Sequence, residues 1–113
     1  LSLRRQRQMC IRDRYYILSH WRFLIGTASD ASANVSLEIT TNGTDYSYAN
    51  IITVGDGGGS YRQHASGDFF FDVTNTSTHK FRWSTHSMAG NSRLLGDSNE
   101  NSSYFTVIRM ADT

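Results

Sequence analysis

Proline is absent from the 113 residues, and there is one cysteine, Cys10. No apolar run approaches the roughly 18 residues that a membrane-spanning helix requires. Charged residues make up only 19%, against 38% apolar and 12% aromatic, so the chain is not the highly charged, aromatic-poor type that stays disordered. Nine glycines with no proline fit a compact domain better than a linker. The length allows one hydrophobic core and is too short for two.

Residues 1–14 read LSLRRQRQMCIRDR, with five arginines, one aspartate and no helical or strand period. Taken as protein, this is a basic arm of the nucleic-acid-binding kind. No apolar core follows the charges, so it is not a secretory signal. The heptapeptide QMCIRDR resembles the in-frame translation of a transposon end used to tag sequencing libraries. Residues 1–14 are therefore set aside as adapter-derived or disordered, and residues 15–113 are read as a single domain, the C-terminal fragment of a longer protein. Without the segment, six basic and nine acidic residues remain, and a formal charge of +1 becomes about −3. The electrostatic argument for a nucleic-acid partner goes with it. So does Cys10, and with it thiol catalysis, disulfides and thiolate metal sites.

Residues 15–113 hold only two Glu and one Lys, whereas Ser, Thr and Asn together supply 32 of the 99. No segment sustains an i, i+3, i+4, i+7 apolar pattern long enough for a helix. Short β-branched and aromatic runs alternate with Gly, Asn, Asp and Ser clusters, which is the pattern of a sandwich or barrel. Strands are expected over 15–25 (one bent strand or two), 35–40, 46–54, 69–73, 79–85, 92–95 and 104–110, with a turn at Asn42-Gly43. The fold expected is an all-β, jelly-roll-like antiparallel sandwich of about eight strands. In the last strand Tyr104, Ile108 and Met110 fall on one side, and Phe105 and Val107 on the other. A strand apolar on both faces is expected to be covered on both, by a second sheet and by another subunit. A central position beneath a long loop is the alternative.

The segments Asp72-Val73-Thr74-Asn75-Thr76-Ser77-Thr78-His79-Lys80-Phe81-Arg82-Trp83 and Asn101-Ser102-Ser103-Tyr104-Phe105-Thr106-Val107-Ile108-Arg109-Met110 resemble the C-terminal ends of phage tail-fibre and head-fibre proteins. The resemblance covers residues 68–113 by motif and 15–67 by strand rhythm alone. Asp72-Val73 stands where many of those proteins have Pro or Gly, and Arg109 where many have Glu. It implies a trimeric head like those of the tumour-necrosis-factor and complement type. It also implies a place on a virion, and a part in display or host attachment. A carbohydrate-binding module of a secreted bacterial enzyme or adhesin is the other reading.

Catalytic patterns are weak. There is no Gly-x-Ser-x-Gly elbow, and Gly57-Gly58-Gly59 lacks the Lys-Ser/Thr of a phosphate loop. No carboxylate pair can be singled out for glycoside hydrolysis. His64, Asp68, Asp72, His79 and His86 have no tight ligand spacing, so ordinary hydrogen-bonding histidines are expected rather than a metal site. The domain is read as non-enzymatic and cofactor-free, with a cell-surface glycan as the partner besides its own copies. Glycan contacts are expected from the two longest polar segments, 55–68 and 88–101, both taken as loops. The first offers Asp56, Tyr61, Arg62, Gln63 and His64, and the second Asn91, Arg93, Asp97 and Asn99. Tyr46, Tyr48, Tyr61 and Trp83 are the aromatic side chains on which a sugar ring could stack, with ordinary packing as the simpler role.

Overall fold

The computed structural model describes residues 13–27, 31–55 and 61–110. Its regular elements are all strands: β1 (Asp13–Ile25), β2 (Ser32–Thr40), β3 (Ser47–Val54), β4 (Tyr61–Val73), β5 (Lys80–Ala89), β6 (Arg93–Leu95) and β7 (Tyr104–Arg109). They form two antiparallel sheets. In the first, β1 is central, with β4 along one edge and β6 and β7 successively along the other. The second has the order β3-β2-β5. The domain is an all-β sandwich.

Residues 15–25 lie in one strand, which begins at Asp13, inside the segment set aside from sequence. Ile17, Ser19, Trp21, Phe23 and Ile25 point inward and are buried, while the residues between them face out. Ser19 is tolerated inside because its hydroxyl donates to the Gly67 carbonyl at 3.2 Å. Trp21, Phe23 and Ile25 pack on Ala33, Val35 and Ile52 of the opposite sheet, and Ile17 packs with Leu37, Phe71 and Val73. Trp21 and Trp83 meet edge to face, with centroids 5.0 Å apart.

The β2–β3 hairpin turns at Asn42-Gly43 as the sequence predicts. Gly43 has φ +86°, and Asn42 Oδ1 accepts from the amides of Thr44 and Asp45 at 2.9 and 2.8 Å. The apolar residues on both faces of β3 have a local cause. The register shifts at Leu37/Glu38, so that Asn50 opposes Leu37 and Tyr48 opposes Glu38 with Ala49 left between. That bulge places Tyr48 and Ile51 both outside, 56% and 48% exposed.

The largest correction concerns residues 55–68. From Tyr61 onward they are strand and not loop, and β4 pairs with β1 from Ile25↔Tyr61 to Asp13↔Val73 without a break. Its first half escapes a hydrophobicity scan because its inward positions are Tyr61, Gln63, Ala65 and Gly67. Small residues are needed there because β3 crosses close by. A Cβ on Gly67 would come within 2.7 Å of Ile52 Cδ1.

Candidate functional site

The outward face of the first sheet forms a grid whose rows are fixed by the strand register. Arg62, Leu24 and Arg93 make the first row, and His64, Arg22 and Leu95 the second. Ser66, His20 and Tyr104 follow, then Asp68, Leu18 and Thr106, then Phe70, Tyr16 and Ile108. Arg14 and Asp72 end the face beside Met110, whose amide donates to the Arg14 carbonyl at 2.7 Å. The face therefore runs from a basic end, through a polar and aromatic middle, to an apolar end.

In the middle, three rings line up across the strands. His20 Nε2 and His64 Nδ1 are 3.0 Å apart, and His20 Nδ1 lies 2.9 Å from Ser66 Oγ. The imidazole of His20 stacks on Tyr104 with centroids 5.6 Å apart. Beyond this wall, an open slot of about 450 Å³ is lined by Tyr16, Leu18, His20, Ser66, Asp68 and Tyr104, with Ser19 and Gly67 at its base. Tyr16 forms the far side, stacked on Phe70 at 4.7 Å. Its hydroxyl donates to Asp68 Oδ2 at 2.6 Å, which pushes the Tyr16 pKa up. Ring faces beside a carboxylate and a hydroxyl suit a sugar, which offers an apolar ring and several hydroxyls at once.

At the apolar end, the alternative placement of the last strand is the one that falls. Among the described residues β7 pairs only with β1, so it is an edge strand and not a central one beneath a loop. Its alternation is as read from sequence. Phe105 and Val107 face inward, and Phe105 lies 6.0 Å from both Phe81 and Trp83. Tyr104 and Ile108 face outward. Among the described residues neither side is fully covered: Tyr104, Phe105, Val107, Ile108 and Met110 are each 40–47% exposed.

The residues proposed for ligand contact from sequence scatter. Arg62, His64 and Arg93 do reach the outward face described above. Tyr61 instead packs against the core, and Gln63 Oε1 accepts from the Gly55 amide at 2.9 Å. Asn91 holds a turn at φ +63°, and Asp97 accepts from the Asn99 amide at 2.8 Å within the exposed 96–101 segment. Asp56 lies outside the described residues. Of the aromatics singled out, Trp83 packs against the core and Tyr48 and Tyr46 lie on the second sheet's side. The expectation that segments 55–68 and 88–101 act together as loops is not met, since strand pairing divides them. Sequence reasoning missed Tyr16, His20, Ser66 and Tyr104 as one group, which only the register brings together.

The remaining candidate groups lie apart. His79 lines an apolar cavity of about 180 Å³ with Tyr15, Ile17, Phe71 and Phe81. Asp72 pairs with Arg14 at 2.7 Å. On the outer face of the second sheet, His86 Nε2 lies 2.6 Å from Ser36 Oγ, but Ser36 is wholly buried and its hydroxyl is closed to a substrate. Nearby, Arg82 pairs with Glu38 at 3.1 Å and sits 3.9 Å over the Tyr46 ring. The hydrogen bond from Arg82, then that from Ser84, holds the Glu38 carboxyl below its ordinary range. A depressed carboxylate pKa stabilises the fold above its unfolded value, and the contribution is lost as pH falls through the folded value. Acid denaturation monitored from about pH 5 downward is expected to show this loss, and Glu38→Gln should flatten it.

No known family, curated protein or solved structure matches the chain.

Proposed function

We propose that this domain is a non-enzymatic head of a phage-type virion appendage, which self-associates through β7 and serves in display or host attachment. The observation that supports this reading is the β7 edge, where five large apolar side chains stand 40–47% exposed in a row. A long apolar edge strand invites pairing or packing with another chain, and proteins that stay monomeric blunt such edges with charge or proline. Here only Arg109 is charged, and its guanidinium is turned to Asp13 at 2.8 Å. Three copies is the number implied by the likeness of residues 72–83 and 101–110 to fibre heads. Sedimentation velocity on the full chain is expected to give a trimer mass, and Val107→Asp with Ile108→Asp a folded monomer. A wild-type monomer at micromolar concentration would reject the reading.

The slot between Tyr16 and the His20–Tyr104 wall favours a glycan as the attachment partner. It serves equally the second reading, a carbohydrate-binding module of a secreted bacterial enzyme or adhesin. Tyr104→Ala and Asp68→Ala are expected to weaken glycan binding by tenfold or more, while Tyr48→Ala on the opposite sheet leaves it unchanged. Isothermal titration with a glycan panel reads both.

A further inference from the structure

The arginines of this domain are not distributed evenly. Arg82 is paired with Glu38, and Arg109 with Asp13. The three others in residues 15–113 are Arg22, Arg62 and Arg93, and among the described residues none of them makes an ion pair. All three occupy the first two rows of one face: Arg62 and Arg93 flank Leu24, and Arg22 is the next outward residue along β1. Neighbouring strands are about 4.8 Å apart and same-face residues about 6.7 Å, so the three Cα atoms form a triangle roughly 8–10 Å on a side. Arg22 Nε is buried with no hydrogen-bond partner among the described residues. Asp97 and Glu100 follow Arg93 in the chain, but neither is paired with it.

Three arginines whose Cα atoms lie within about 10 Å of one another, none ion-paired among the described residues, in a domain whose remaining charge is negative, repel one another unless an anion sits among them. The slot at Leu18 begins four residues along β1 from Arg22, about 13 Å at strand rise, or two to three sugar units. We infer that this face binds an acidic oligosaccharide, with a sugar ring in the slot beside Tyr104 and a carboxylate or phosphate on Arg22, Arg62 and Arg93. Guanidinium suits both anions because its planar fork donates two parallel hydrogen bonds. Asp68 lines the slot itself, two rows from Arg22, so the ligand's acidic end points toward the arginines. The inference rests on the glycan-binding reading above and adds the chemical class.

The test titrates the protein with an oligogalacturonide, a mannose-phosphate oligosaccharide, the neutral mannose oligosaccharide and a single-stranded oligonucleotide. Both acidic sugars, or one of them, should bind at least tenfold more tightly than the neutral one, with the advantage shrinking as salt rises. Which of the two binds tells carboxylate from phosphate. Arg62→Gln with Arg93→Gln, both exposed positions, should remove the advantage without altering the melting temperature, and adding Arg22→Gln should not restore it. Equal binding of neutral and acidic sugars, an unaffected double variant, or an oligonucleotide bound as tightly as the sugars would each overturn the inference. If neutral sugars bind and the arginines do not matter, the glycan reading stands and the acid preference falls. If no saccharide binds, both fall.

Discussion

Phe23→Ala is expected to destabilise the domain by about 4 kcal/mol and to lower its melting temperature by roughly 20 °C. The Phe23 side chain is 0% exposed near the C-terminal end of β1, the strand to which β4, β6 and β7 are all bonded. It pairs with Leu94 on one side and Gln63 on the other, and it packs in the cluster of Trp21, Ile25, Ala33, Val35 and Ile52. Those neighbours belong to two hydrogen-bonded sheets, so they cannot close over the space a benzyl group leaves. The cost then includes an unfilled cavity as well as the lost transfer energy. Urea denaturation of Phe23→Ala beside Tyr48→Ala checks this. The exposed tyrosine should change stability by less than about 0.5 kcal/mol. Similar losses for both would mean that the core is not centred on β1.

What could be read in advance depended on whether a strand advertises itself through its own side chains. β2 does: Val35, Leu37 and Ile39 alternate with Ser36, Glu38 and Thr40, and the strand is found where that pattern falls. β7 does as well, and among the described residues neither of its two apolar sides is fully covered. The first half of β4 does not, because its inward residues are small or polar to make room for β3, and its outward residues are Arg62, His64, Ser66 and Asp68. Hydrophobic periodicity cannot see a strand whose burial is imposed by a neighbour. The bulge at Ala49 hides β3 in another way, by putting Tyr48 and Ile51 on the same face three residues apart.

The candidate site was harder to read for a related reason. Arg62, His64 and Arg93 were picked for their chemistry, and they lie on the face that matters. Their partners Tyr16, His20 and Tyr104 sit on β1 and β7, up to 77 residues away in sequence. Residues on a sheet face become neighbours through register, and the register of β1 with three different strands is not encoded in any one of them. Turn residues mislead in the opposite direction. Asn91 looks like a ligand contact, yet its positive φ marks it as a structural turn residue.

Gly26→Ala is expected to be nearly as damaging as the core deletion, at about 3 kcal/mol, although it adds a single methyl group. Gly26 follows the last residue of β1 and is buried. Its amide donates to Ser92 Oγ at 3.0 Å, and a Cβ at this position would fall on the Gly90 carbonyl. Backbone cannot rotate away as a side chain can, so the turn through Gly90, Asn91 and Ser92 would have to move. Gly90 and Asn91 both hold positive φ there, which leaves that turn few other conformations. Ser92→Ala is the milder companion: it removes the acceptor of one buried amide and should cost about 1–2 kcal/mol. The displaced turn leads directly into Arg93, one corner of the arginine triangle. Gly26→Ala should therefore weaken acidic-sugar binding even under conditions where the protein remains folded, and Ser92→Ala should do so less. Thermal denaturation and titration of both variants give the comparison. A Gly26→Ala protein with wild-type stability would mean that β1 and the 90–92 turn do not touch in the way described.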